Sequence, residues 1–482
     1  MAVLSGIEPK AVFKYFEEIC AIPHGSGNTK QISDYCVCFA KEHGFRYIQD
    51  KSNNVIIFKD STTGYDKSAP VIIQGHLDMV CEKTPDCAID FEKDGLSLRV
   101  DDGIISAEGT TLGGDDGIAV AFALAILDSD DIAHPALEVV LTVDEEIGML
   151  GAADLDCTPL KSRIMLNLDS EEEGILLVSC AGGTTATCTM PIKRKEINGI
   201  AIKIGVNGLM GGHSGVEIDK GRANANRLIA RVLNELGKEM AYELVSISGG
   251  LKDNAIPREA SAELVIAPED AQAVRTLVDK YDKIFADEYR SVDPDISLTV
   301  SIAEEGSFQA MVDDSKKRVI SALVNLPGGI QRMSADIPGL VQTSLNMGIL
   351  KTTDEEVVMV FAVRSSVGTE KEEVVSRLMN LMDILGGTVE CTGDYPAWEY
   401  RQDSKLRDLM IEVFEQQYGY KPAVEAVHAG LECGLFAGKL PGLDCISFGP
   451  EMKDIHTTNE CMDIASVQRT WNYVLEVLKR LV

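Results

Sequence analysis

The 482-residue chain lacks any CxxC pair, although it carries 12 cysteines. Cys36-Val37-Cys38 has the wrong spacing for a zinc finger or a dithiol redox pair. The thiols are therefore read as reduced and mostly interior. No uncharged apolar run approaches the roughly 20 residues that span a bilayer. Basic residues are scarce: 45 Lys+Arg stand against 76 Asp+Glu, a formal charge of −31. Such a surface repels phosphate backbones and anionic lipid, so neither nucleic acid nor membrane is an expected partner. The first 19 residues lack the basic start and apolar block of a signal peptide. A soluble, cytoplasmic protein is the expectation. Low-complexity stretches and long linkers are also missing. What remains is ordinary globular composition, 45% hydrophobic and 25% charged, long enough for more than one domain.

The first 180 residues alternate short β-rich runs (55–58, 71–74, 137–143, 164–168) with helical spacing (7–19, 117–127). Buried strands alternating with helices predict an α/β layer with a mostly parallel central sheet. From about residue 183 the pattern changes. Strand, helix, strand, strand, helix, strand follow over 200–302, the ferredoxin-like order. The same order recurs over 316–392 without its opening strand, which is sought near 306–311. This predicts an inserted α+β domain of two ferredoxin-like half-units. The segments after residue 394 read as the rest of the first domain. The expected division is 1–182, 183–393 and 394–482.

The most informative segment is Gln74-Gly75-His76-Leu77-Asp78, directly after a buried strand. In open parallel sheets, ligands sit beyond the carboxyl ends of strands. Asp115 and Asp116 precede the helix at 117–127. Glu145 and Glu146 follow the 137–143 strand, Asp169 ends the 164–168 strand, and His456 follows the 443–448 strand. Each acid alone reads more readily as a helix cap or a solvated loop charge than as a ligand. Several acids and two histidines at one sheet edge repel one another unless cations neutralise them. Histidine and carboxylate ligands without cysteine suit Zn²⁺, Mn²⁺ or Co²⁺ in a hydrolytic site. The surplus over one open zinc site points to two metals, about 3.5–4 Å apart, sharing a carboxylate and a water.

The series His76-x-Asp78, Gly114-Asp115-Asp116-Gly117, Glu145-Glu146, Asp169 and His456 resembles the M20 di-zinc peptidases, most of all their aminoacyl-histidine dipeptidase branch. Supporting strings are Gly75–Val80, His428–Gly434 and Ile455–Glu460, and the likeness runs along the whole chain. It implies a zinc-peptidase-like catalytic domain whose inserted domain is a lid. It also implies that Asp115 bridges two Zn²⁺ and that the peptide after it is cis. His76 and Asp169 complete one zinc site; Glu146 and His456 complete the other. Glu145 is then the general base, and Asp78 orients His76. Asp116 stands where relatives commonly carry Asn and is not counted as a ligand.

In the inserted domain the resemblance assigns His213 to transition-state stabilisation. Asn254, Arg364 and Gly430 recognise the substrate, with Arg364 on its free carboxylate. Gly212-His213-Ser214-Gly215 is not a nucleophile elbow, because position 216 is Val. The implied activity is metal-dependent hydrolysis of Xaa-His dipeptides, carnosine-like or aminoacyl-histidine. Alternatives are an M20-type deacylase or carboxypeptidase on N-acyl amino acids, and a broader dipeptidase. A non-catalytic metal-binding protein is the reading from another class. Simpler relatives borrow the lid histidine from a second subunit, so a homodimer is one arrangement the family allows.

Overall fold

The computed structural model describes residues 3–482. The chain forms two compact units. One takes the chain as far as Cys180, then Tyr400–Ala426 and Leu431–Val482; the other takes Ala181–Glu399 and Val427–Gly430.

The first unit is built on an eight-stranded sheet. Its spatial order is Arg46–Gln49, Val55–Lys59, Leu137–Thr142, Val71–His76, Ile164–Asn167, Asp444–Ser447, Ile175–Cys180, Ala423–Val427. Every residue of Val71–His76, Leu137–Thr142 and Asp444–Ser447 is buried. Strands covered on both faces read as continuous apolar runs and suit parallel pairing. The four strands from Leu137–Thr142 to Asp444–Ser447 are indeed parallel to their neighbours. Antiparallel pairs flank them. Four consecutive parallel strands bring four carboxyl ends to one edge, which decides where the chemistry can sit.

Helix Gly114–Asp128 is buried on all sides from Gly114 to Leu127 and packs against Lys10–Cys20. A helix apolar on every side, as this one is from Gly117 to Leu127, belongs inside a domain. Its first turn is irregular: Asp115 and Asp116 carry non-helical φ/ψ, and the peptide between them is cis.

The second unit is a nine-stranded sheet backed by helices. Its order is Ser297–Met311, Arg194–Asn207, Ala260–Ile266, Glu243–Gly249, Val341–Thr352, Glu356–Ser365, Gly182–Pro191, Thr388–Tyr395, with Gly329–Met333 added on Val341–Thr352. The first four strands are one ferredoxin-like half and the last four the other. The opening strand of the second half is Gly182–Pro191, which pairs with Glu356–Ser365 and Thr388–Tyr395. The expected place for it, 306–311, is instead the end of the long Ser297–Met311 strand, paired with Arg194–Gly199. One half is thus inserted within the other, and adjacency along the chain misleads about strand membership. The helices present apolar stripes to one core; Ala225–Glu239 buries Leu228, Ile229, Val232, Leu233 and Leu236 there.

Candidate active site

His76 ends its strand with the side chain 1% exposed. Its Nδ1 lies 2.9 Å from the backbone carbonyl of Asp78. A carbonyl only accepts, so Nδ1 carries a proton, which leaves Nε2 as the nitrogen that would meet a cation. Nε2 faces Asp115 Oδ1 at 3.1 Å and Asp169 Oδ1 at 3.5 Å. Asp78 therefore orients His76 through its main chain; its carboxylate stands 3.6 Å from the ring. That carboxylate instead accepts the backbone N–H of Glu145 (3.0 Å) and Glu146 (3.4 Å) and the Ser26 hydroxyl (2.8 Å). It ties the strand-end histidine to the paired glutamates.

The second Asp115 oxygen, Oδ2, faces His456 Nε2 at 3.1 Å, and Glu146 Oε1 lies 2.9 Å from the same nitrogen. Asp115 thus lies between two imidazoles, one per carboxylate oxygen. Burial opposes its ionisation, yet His456 and His76 hold the carboxyl well below the usual range. The contacts with Asp115 and Glu146 raise His456 to about 10.

Burial pushes the Glu145 carboxyl up to about 9, and Asp169, Glu432 and Glu146 add to this against the pull of His76. Asp116 is wholly buried; Oδ2 accepts the His76 N–H at 3.0 Å and Oδ1 has no partner. Gly75 makes room for it, since a Cβ there would meet Asp116 Oδ2 at 2.5 Å.

Five carboxylates around two imidazoles are a donor set that asks for cations. Ligand atoms of Asp115, Glu146 and His456 lie within 4.8 Å of one another, as do those of His76, Asp116 and Asp169, and of His76, Glu145 and Glu146. The residues fit a dinuclear centre shared through Asp115.

Behind these groups lies a polar network that the sequence motifs leave unassigned. Glu432, fully buried, accepts from Gln74 Nε2 (2.5 Å) and Thr142 Oγ1 (2.6 Å), and Gln74 also pairs with Asn167. The available signal is a glutamine in an otherwise apolar buried strand. Burial, with Asp169 and Asp78 adding, raises the Glu432 carboxyl to about 7 from 4.5. Between about pH 4.5 and 7 the folded, metal-free protein keeps this proton while the unfolded chain has released it. Stability is therefore fully present below about 4.5 and lost as pH rises to about 7. Glu432→Gln is expected to remove that fall, on the order of 2–3 kcal/mol, in denaturant melts at pH 4.5 and 7.5.

The second unit holds the other sequence candidates. His213 pairs with Ala255 in a two-residue ladder, and the Ser214 N–H donates to the Asn254 carbonyl at 2.8 Å. His213 Nδ1 accepts the N–H groups of Gly215 and Val216, both at 3.2 Å. Burial and Arg364 lower its pKa, Glu217 opposing. The ring is neutral with its proton on Nε2. Ser214 Oγ is buried without a partner, and no imidazole activates it. Arg364 donates to Tyr395 Oη at 3.0 Å, while its buried Nε is unpaired. His428 Nε2 lies 2.7 Å from Ser344 Oγ, its buried Nδ1 is unpaired, and burial with Arg364 and His213 depresses its pKa to about 3. Gly430 closes the short Val427–Gly430 segment that belongs to this unit. Asn254 is exposed, its own N–H on Asp253.

Residues 72–480 match the family model described as Peptidase family M20/M25/M40. The chain belongs to this family and is a peptide-bond hydrolase. It is 37% identical to the cytosol non-specific dipeptidase of Escherichia coli (strain K12) over 484 residues, covering 100% of this chain and 99% of the relative. It superposes on the crystal structure of aminoacylhistidine dipeptidase from Vibrio alginolyticus with a TM-score of 0.94 and 36% identity, covering 99% and 97% of the two chains. Aminopeptidase PepT from Bacillus cereus shares the fold, with a TM-score of 0.57 at 16% identity over 98% of this chain and 99% of the other. Among the described residues no helix is long and apolar enough to cross a membrane.

Proposed function

We propose that the chain is a cytoplasmic di-metal dipeptidase acting on Xaa-His dipeptides. The observation that carries the reading is Asp115, with one carboxylate oxygen on His76 and the other on His456. His76, Asp115 and Asp169 would hold one cation, and Asp115, Glu146 and His456 the other, zinc first and manganese or cobalt as substitutes. Bound there, the pair supplies Lewis acidity toward the scissile carbonyl and lowers the pKa of an attacking water. Glu145 removes that water's proton and passes one to the leaving amine. The His213 proton sits on Nε2, the tautomer able to donate to a carbonyl oxygen as it gains charge. Arg364 pairs with the substrate's free carboxylate, for which its unpaired Nε is a ready donor. Asn254 and Gly430 add contacts to the same substrate.

A panel of free-amine dipeptides, with and without C-terminal histidine, beside N-acyl amino acids tests the activity. Preference for N-acyl substrates would replace the dipeptidase reading with a deacylase or carboxypeptidase. Even rates across the dipeptides would favour the broader specificity carried in the name of the Escherichia coli relative. Arg364→Ala should raise KM for free-carboxylate dipeptides roughly 10–150-fold, the worth of a charge-assisted hydrogen bond. The corresponding amides should change little; an equal rise on both would remove Arg364 from carboxylate recognition.

A further inference from the structure

Glu460 lies four residues beyond His456 and is 3% exposed. Its carboxylate accepts four consecutive backbone N–H groups: Leu112 (2.7 Å) and Gly113 (3.2 Å) on Oε2, Gly114 (2.8 Å) and Asp115 (3.4 Å) on Oε1. These belong to the irregular start of helix Gly114–Asp128. A helix leaves its first N–H groups unsatisfied, and a side chain at the N-cap usually takes them. Here the N-cap is Gly113, in the left-handed region at φ 65°, and it has no side chain to do so. A carboxylate from the far end of the chain does it instead.

The approach is close. A Cβ on Gly114 would meet Glu460 Oε1 at 3.2 Å. Glu460 is itself anchored: its N–H donates to Thr457, and the next residues, Cys461–Asp463, pair with Ile104–Ala107 and Met452–Lys453. One side chain therefore joins the turn carrying His456 to the backbone carrying Asp115. None of these hydrogen bonds is to a proposed ligand atom. Its four hydrogen bonds fall on the main chain from which the Asp115 carboxylate extends.

We propose that Glu460 is a positioning residue for the dinuclear centre, holding the Leu112–Asp115 backbone so that Asp115 can serve both cations. The inference rests on Asp115 as the shared ligand. Partners of this kind, one step behind the ligands, typically carry about 10–100-fold in metal affinity.

The test is titration of the metal-free protein with zinc by calorimetry, for the wild type, Glu460→Gln and Asp115→Asn, alongside melting of the metal-free forms. Glutamine keeps one acceptor and sets an amide N–H₂ against two of the backbone donors. Glu460→Gln is expected to bind zinc 10–100-fold more weakly. Turnover of a dipeptide should recover as zinc is raised, with KM for the dipeptide unchanged. A role confined to the fold predicts a lower melting temperature with wild-type zinc affinity, and that result overturns the proposal. Asp115→Asn separates the two readings. If it binds two zinc ions normally, the shared-ligand reading falls and the inference with it. If it binds poorly while Glu460→Gln binds normally, only the inference falls. Should Glu460→Gln not fold, Glu460→Asp carries the same titration, with its charge kept and its reach shortened. Failure of both to fold would assign Glu460 to the fold at large and overturn the proposal equally.

Discussion

Glu145→Gln is expected to retain two equivalents of metal and to lose turnover by on the order of 10²–10⁴-fold, the usual worth of a general base. Glutamine keeps the shape and the backbone hydrogen bond to Asp78, which uses the main-chain N–H of residue 145. It removes the carboxylate proposed to accept the proton. Without cations, burial and the neighbouring Asp169, Glu432 and Glu146 push this carboxyl up to about 9, a poor state for a base near neutrality. Cations among those carboxylates would cancel the field that keeps the proton on, and so prepare the base. Steady-state kinetics on metal-analysed protein decides the point. A variant with full activity removes Glu145 from proton transfer; one that has also lost its metal makes Glu145 a ligand.

Removing the metals is expected to abolish turnover by at least about 10³-fold, since both carbonyl polarisation and water activation go with them. Dialysis against a chelator, then readdition of zinc, manganese or cobalt, should switch activity off and on. Stability should follow. Metal at one hundred times its Kd stabilises the folded chain by about 2.7 kcal/mol per site. His76→Ala should remove much of that gain, because its Nε2 faces Asp115 and Asp169 from a fully buried position. Unchanged activity and melting after verified metal removal would exclude a metal-dependent hydrolysis.

Much of the candidate site was legible in the sequence because most of its residues follow the ends of strands. Buried apolar runs mark parallel strands, parallel strands share an edge, and polar residues just past their ends converge there. His76, Glu145, Glu146, Asp169 and His456 were accessible by that rule, and Asp115 by its place before an apolar helix. Other features had no local trace. Asp78 holds His76 through a carbonyl, which no residue identity encodes. Glu432 reaches Gln74 across 358 positions, and Glu460 reaches Leu112 across 348.

The sequence by itself determined which residue types stand at the ends of the central strands, and hence the chemistry open to the chain. Tertiary structure alone decided which strand opens the second ferredoxin-like half, that Val427–Gly430 joins the second unit, and which nitrogen of His213 carries the proton. The reason is one of range. Burial patterns and strand ends are properties of neighbouring residues, whereas sheet membership, tautomer and backbone capping depend on groups brought together from hundreds of residues apart.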